Sequence, residues 1–131
     1  MNMKSKSLSY LAAALVLSVS ALATAPAFAH GAAKPKHGGV VQSASDLSFE
    51  LVATGDGATI YVIDHEDEFD TAGTKGKLTA LNGAEKSEAE LVPAGGNKLE
   101  AKGVKLGKGA KVVAVLTTVD KKTITLRFAL K

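Results

Sequence analysis

In two segments of this chain every second residue is apolar: Leu47, Phe49 and Leu51 in the first, Ile124, Leu126, Phe128 and Leu130 in the second. An extended backbone points successive side chains to opposite faces, so this spacing gathers the apolar residues on one face and leaves the other polar. The pattern predicts half-buried β-strands and excludes an amphipathic helix, whose apolar positions recur every three or four residues. Residues 59–64 and 111–119 are more continuously apolar and β-branched, the signature of central strands with both faces at least partly covered.

Turn chemistry punctuates these runs. Gly55-Asp56-Gly57, Asn82-Gly83, Gly95-Gly96-Asn97, Gly107-Lys108-Gly109 and Asp120-Lys121 fall between them, and these residue types take up the backbone conformations that reverse a chain. Seven to eight strands with such spacing predict an all-β domain, an antiparallel immunoglobulin-like β-sandwich, with a small closed barrel as the alternative architecture. The chain has no cysteine, so stability must come from packing, and a thiolate metal site is excluded.

The first 29 residues read differently. Lys4 and Lys6 precede an apolar run from Leu11 to about Ala23, and Pro26 and Ala27-Phe28-Ala29 follow, the layout of a secretory signal peptide cleaved after Ala29. The run is too short to span a bilayer, so no stable membrane insertion is expected after cleavage, and a periplasmic location is. The expected organisation is a signal peptide over 1–29, a flexible arm over 30–39 that contains Gly31, Pro35, Gly38 and Gly39, and one β domain over 40–131. That leaves 102 residues, enough for one small core.

Both methionines, Met1 and Met3, leave with the signal, as do Lys4 and Lys6; of the sixteen basic residues fourteen then face thirteen acids. The charges are unevenly placed. Asp64, Glu66, Asp67, Glu68 and Asp70 form an acidic knot, whereas residues 98–131 carry nine basic residues against Glu100 and Asp120 alone, an arrangement that creates an oriented field. Few aromatics and lysines scattered along strands and turns argue against a nucleic-acid surface. No nucleophile elbow, phosphate-binding loop or H-E-x-x-H sequence is present, and no carboxylate pair is set up for acid–base work, so the expectation is a non-enzyme.

The three histidines and the acidic knot remain as candidates for chemistry. Cleavage after Ala29 makes His30 the first residue, and a free α-amine beside an imidazole closes a chelate on one metal ion, a geometry that suits Cu(II) best. His37 lies seven residues on, within an arm long enough to fold back on the domain. His65 follows the predicted strand 59–64 with Asp64 and Glu66 as immediate neighbours; imidazole with carboxylate is donor chemistry for Cu(II), Zn(II) or Ni(II). Without Met or Cys, the mature chain offers no soft donors for Cu(I) or Ag(I). The candidate metal ligands are therefore His30, His37, His65, Asp64 and Glu66. Against this stand plainer readings of the same residues: His30 as whatever follows the cleavage site, His37 as a loop histidine, and His65 as a surface histidine among acids.

The segment His37-Gly38-Gly39-Val40-Val41, followed by Asp46-Leu47-Ser48-Phe49-Glu50-Leu51-Val52, resembles the N-terminal periplasmic domain of some heavy-metal efflux adaptor subunits and small stand-alone periplasmic proteins of metal-resistance systems. The resemblance implies a β-sandwich that binds or relays transition-metal ions, with His37 as the position carried over. It also implies an efflux adaptor as a partner. The hairpin, lipoyl-like and barrel parts of a whole adaptor have no room in 102 residues, so the chain cannot itself build a conduit. Small copper-resistance β-sandwiches whose N-terminal histidine ligates Cu(II) offer a second likeness, carried by His30. The expectation is a buffer or delivery protein for a divalent metal, copper first and zinc next. The alternative is a protein–protein interaction module that docks on an envelope or efflux component without metal.

Overall fold

Gly55-Asp56 and Gly83-Ala84 each close a two-residue hairpin, and tight hairpins of this kind organise the computed structural model, which describes residues 33–131. The expected signal peptide and His30 lie outside the described residues. Nine strands follow in order: β1 (Val40–Ala44), β2 (Leu47–Thr54), β3 (Gly57–Asp64), β4 (Asp67–Glu68), β5 (Lys75–Asn82), β6 (Glu85–Pro93), β7 (Lys98–Lys102), β8 (Lys111–Thr117) and β9 (Thr123–Ala129). All pairings are antiparallel. No helix among the described residues is long and apolar enough to cross a membrane.

The strands lie side by side as β1-β2-β3-β7-β6-β5-β8-β9, with the short β4 beside β3. β5, β6 and β7 are successive neighbours and β8 returns to lie next to β5, a Greek-key connection. β1 packs alongside β9 at the two ends of this path, so the sheet curls nearly into a barrel. The expected all-β antiparallel domain is what the chain forms, with nine strands in place of seven to eight, and their arrangement in one sheet nearly closed on itself is nearer the small barrel than the immunoglobulin-like sandwich. The cause is the nine-residue β6: seven of its residues pair with β5, from Gly76↔Leu91 to Asn82↔Glu85, while Val92 and Pro93 at its far end pair with β7. One long strand thereby joins what a sandwich would divide.

The interior is filled by alternate residues of these strands, with Phe49 and Leu51 of β2, Ile60 and Val62 of β3, Leu78 of β5 and Leu99 of β7 all buried. Each such side chain contributes about 1.5–3 kcal/mol by leaving water. On β9, Ile124, Leu126 and Phe128 point inward and the residues between them outward, as their spacing predicts. β3 is covered on both faces, for Thr59 and Ile63 are buried as well as Ile60 and Val62. On β8, Val112, Ala114 and Leu116 are buried, while on the outer face Val113 is half-buried and Val115 is 39% exposed. β-branched residues there serve the pleat, not a second core.

Two features fix the end of the barrel where β3 finishes. Thr71 donates its hydroxyl to the carbonyls of Gly96 (3.1 Å) and Lys98 (2.9 Å), and Asn97 donates through Nδ2 to the carbonyl of Val62 (3.2 Å). The Val62 amide bonds in return to the Asn97 carbonyl (2.9 Å). Buried polar groups paired in this way hold a loop rigidly, and β3 therefore ends on a firm support.

Candidate functional site

Glu50 sits mid-strand on β2 at an outward position, opposite Val41 of β1 and Tyr61 of β3. Outward carboxylates on a sheet are ordinarily solvated; Glu50 is 5% exposed. Residues 36–39 cover it. Its Oε1 accepts the Lys36 amide (2.9 Å), its Oε2 accepts the amides of His37 (2.8 Å) and Gly39 (2.9 Å), and the His37 ring donates Nδ1–H to Oε1 (3.2 Å). Burial pushes the Glu50 carboxyl up, but the hydrogen bonds from Gly39, Lys36 and His37 together outweigh it and hold the pKa below its ordinary value.

The His37 ring lies flat on Tyr61, with ring centroids 3.7 Å apart and planes 3° from parallel. Gly38 and Gly39 make this arrangement possible for different reasons. Gly38 has φ +73°, in the left-handed region that glycine enters without penalty, and a Cβ on Gly39 would collide with the carbonyl oxygen of Leu51. The stretch 36–39, read from sequence as part of a flexible arm, is thus anchored to the outer face of β2 and β3.

The second group lies at the end of β3. Asp64 pairs with Asp67, so His65 and Glu66 form a two-residue turn into β4, and His65 takes φ +58°, a conformation histidine adopts more readily than most side chains. Its Nδ1–H donates to Asp64 Oδ1 at 2.7 Å. That bond, and the charge of Asp64 behind it, raise the His65 pKa; slight desolvation opposes this, and Asp46 and Asp67 add to it. The bond also fixes the ring so that Nε2 carries the free lone pair in the neutral form, as in metal-bound histidines oriented by a carboxylate. His65 is 82% exposed, and Glu66 is exposed beside it.

Between these groups runs an open cleft of about 930 Å³. It is lined on the arm side by Ala33, Lys34 and Lys36 and on the barrel side by residues that include Asp46, Leu47, Ile63, His65 and Glu66. The cleft therefore joins the first described residues of the arm to the His65 turn. This end of the barrel carries Asp46, Asp64 and Asp67, together with Lys34 and Lys36 of the cleft and Lys98, which pairs with Tyr61 near the end of β3.

Of the expected ligands, Asp64, His65 and Glu66 come together. His37 does not join them, because it sits over Tyr61, four residues back along the chain from His65, or roughly 13 Å at the strand rise. His30 lies outside the described residues. Among the described residues no three His, Asp or Glu side chains form a group able to hold a metal unaided. Glu50 and Tyr61 were not candidates in the sequence, where Tyr61 reads as a core or sheet-face residue. The available signal was an acid inserted into a half-buried strand eleven to fourteen residues after Lys36-His37-Gly38-Gly39. No protein family, curated protein or solved structure matches this chain.

Proposed function

We propose that this protein is an exported, periplasmic binder of a divalent transition metal, Cu(II) first and Zn(II) next, acting as a buffer or delivery protein of a metal-resistance system. The observation that carries the reading is the cleft in which Ala33 and Lys34 face His65 and Glu66. His30 precedes Ala33 by three residues, so its α-amine and imidazole are within about 10 Å of extended chain of that cleft. His65 offers Nε2, Asp64 holds the ring by Nδ1, and Glu66 supplies a carboxylate on the same turn. Two nitrogens from His30, one from His65 and an oxygen from Glu66 make the mixed nitrogen and oxygen donor set that Cu(II) takes in a tetragonal plane.

His37 takes a different role in this reading. Its ring is bonded to Glu50 and stacked on Tyr61, roughly 13 Å along the strand from His65, so in this reading it anchors the arm and stands outside the His65 donor set. The link to efflux adaptors rests on the H-G-G and D-x-x-F-E residues alone, and the anchored geometry of that motif gives it a structural purpose: Glu50 is the acid of the second half and the three amides belong to the first.

The test is a Cu(II) and Zn(II) titration of the chain beginning at His30, repeated with one residue added ahead of it. A chelate through the α-amine predicts at least about a tenfold weaker Cu(II) affinity for the extended form. Equal affinity for the two forms refutes it.

A further inference from the structure

We infer that Glu50 is a positioning residue of the proposed metal site, a latch that builds the cleft by holding the arm against the sheet. The inference rests on the metal-binding reading above and adds to it a group that contacts no metal.

One wall of the cleft consists of Ala33, Lys34 and Lys36, and nothing in the β-sheet itself holds those residues there. The described side-chain bonds that tie the segment down converge on one carboxylate, through the amides of Lys36, His37 and Gly39 and the ring of His37. Lys36 belongs to both structures: its amide is a latch donor and the residue lines the cleft. Opening the latch therefore removes that wall and frees Ala33 and Lys34 from their place beside His65 and Glu66. Because the carboxylate is buried beneath the segment and carries bonds on both oxygens, it acts as a single point of attachment. A glutamine cannot replace it, since one oxygen becomes an amide donor pointed at two N–H groups.

An arm that must be latched to bind gives an apparent affinity reduced by the latched fraction. In Glu50→Gln a fall of that fraction to about one in ten lowers Cu(II) affinity about tenfold. The effect is felt only through the arm, so the His65 turn is unaltered.

The experiment uses the chain from His30 onward, wild type and Glu50→Gln, with two readouts. Amide NMR of Lys36, His37 and Gly39 reports the latch without metal, and Cu(II) titration reports the site. Released amides with about tenfold weaker Cu(II) binding, while the amides of β5 and β8 keep their wild-type shifts, support the inference. Released amides with wild-type affinity overturn it and leave the metal reading standing, and a wild-type chain that ignores Cu(II) overturns both. Tyr61→Leu keeps Glu50 and removes only the ring beneath His37, and it must move both readouts in the same direction by a smaller amount. A variant that releases the amides but strengthens Cu(II) binding also overturns the inference.

Discussion

Replacing Glu50 by alanine removes the acceptor of three backbone amides and one imidazole N–H in a single step. Were the donors to stay buried, each would cost about 1–3 kcal/mol as an orphan. They need not, because residues 36–39 can lift away and hydrate, so the loss is capped at the free energy of docking the segment. Four bonds to a charged acceptor at about 2 kcal/mol each and a ring stack at about 1 kcal/mol favour docking. Ordering four residues at about 1.5 kcal/mol each opposes it, and desolvation of the carboxylate takes a little more. Docking is left at about 2 kcal/mol, a substantial part of the stability of a small domain. For a domain of this size that lowers the melting temperature by roughly 8–16 °C. Thermal unfolding followed by circular dichroism measures the shift, and hydrogen exchange at Lys36, His37 and Gly39 locates it. Loss of protection at those amides with the barrel amides unchanged is the expected pattern. A melting temperature within about 1 °C of wild type, with the three amides still protected, would refute the latch.

The same carboxylate gives a pH dependence of definite sign. Its pKa is lower in the folded chain than in the unfolded one, so its stabilisation is complete above the unfolded value and is lost as pH falls through the folded value; the acid-side loss should shrink in Glu50→Gln, and equal acid profiles would contradict it. His65 is shifted upward by Asp64, so Asp64→Asn should lower its titration midpoint in a proton NMR titration, and an unchanged midpoint would show that the 2.7 Å bond is not maintained in solution. A Cβ on Gly57 would collide with the Ala101 carbonyl oxygen across the β3–β7 pair, whereas one on Gly55 meets nothing within 4 Å; Gly57→Ala should cost about 1–3 kcal/mol in denaturant unfolding and Gly55→Ala about 0.5 kcal/mol or less in either direction. Leu78→Ala, at a side chain fully removed from solvent, should cost about 2–5 kcal/mol in the same assay.

The strands were legible because their information is local. Alternation in 47–51 and 124–130 returns as β2 and β9 with the predicted faces inward, and each glycine-rich turn signal falls at a chain reversal. The Ser45-Asp46 turn escaped notice, since both residues adopt positive φ, 52° and 63°, without a glycine or asparagine to announce it. The curl of the sheet was not legible either. It depends on β6 exchanging one partner for another near Leu91 and Val92, and on β1 meeting β9, neither of which leaves a mark in any single window of sequence.

The candidate site divides along the same line. Asp64, His65 and Glu66 are consecutive, so their proximity follows from the sequence alone. Glu50 was hidden because its own strand places it outward, among positions that read as solvated. Its burial comes from residues 36–39, which no periodicity connects to it. Tyr61 is understood in the same way, as a sheet-face residue whose covering ring arrives from the arm.

The most direct test of the metal reading watches His65 itself. One equivalent of Cu(II), added to the chain that begins at His30, should broaden the His65 ring protons by paramagnetic relaxation together with those of His30, while the ring protons of His37, roughly 13 Å from His65 by strand rise, broaden less. Broadening at His30 alone, with His65 sharp at full Cu(II) occupancy, would contradict a site shared between the arm and the β3 turn.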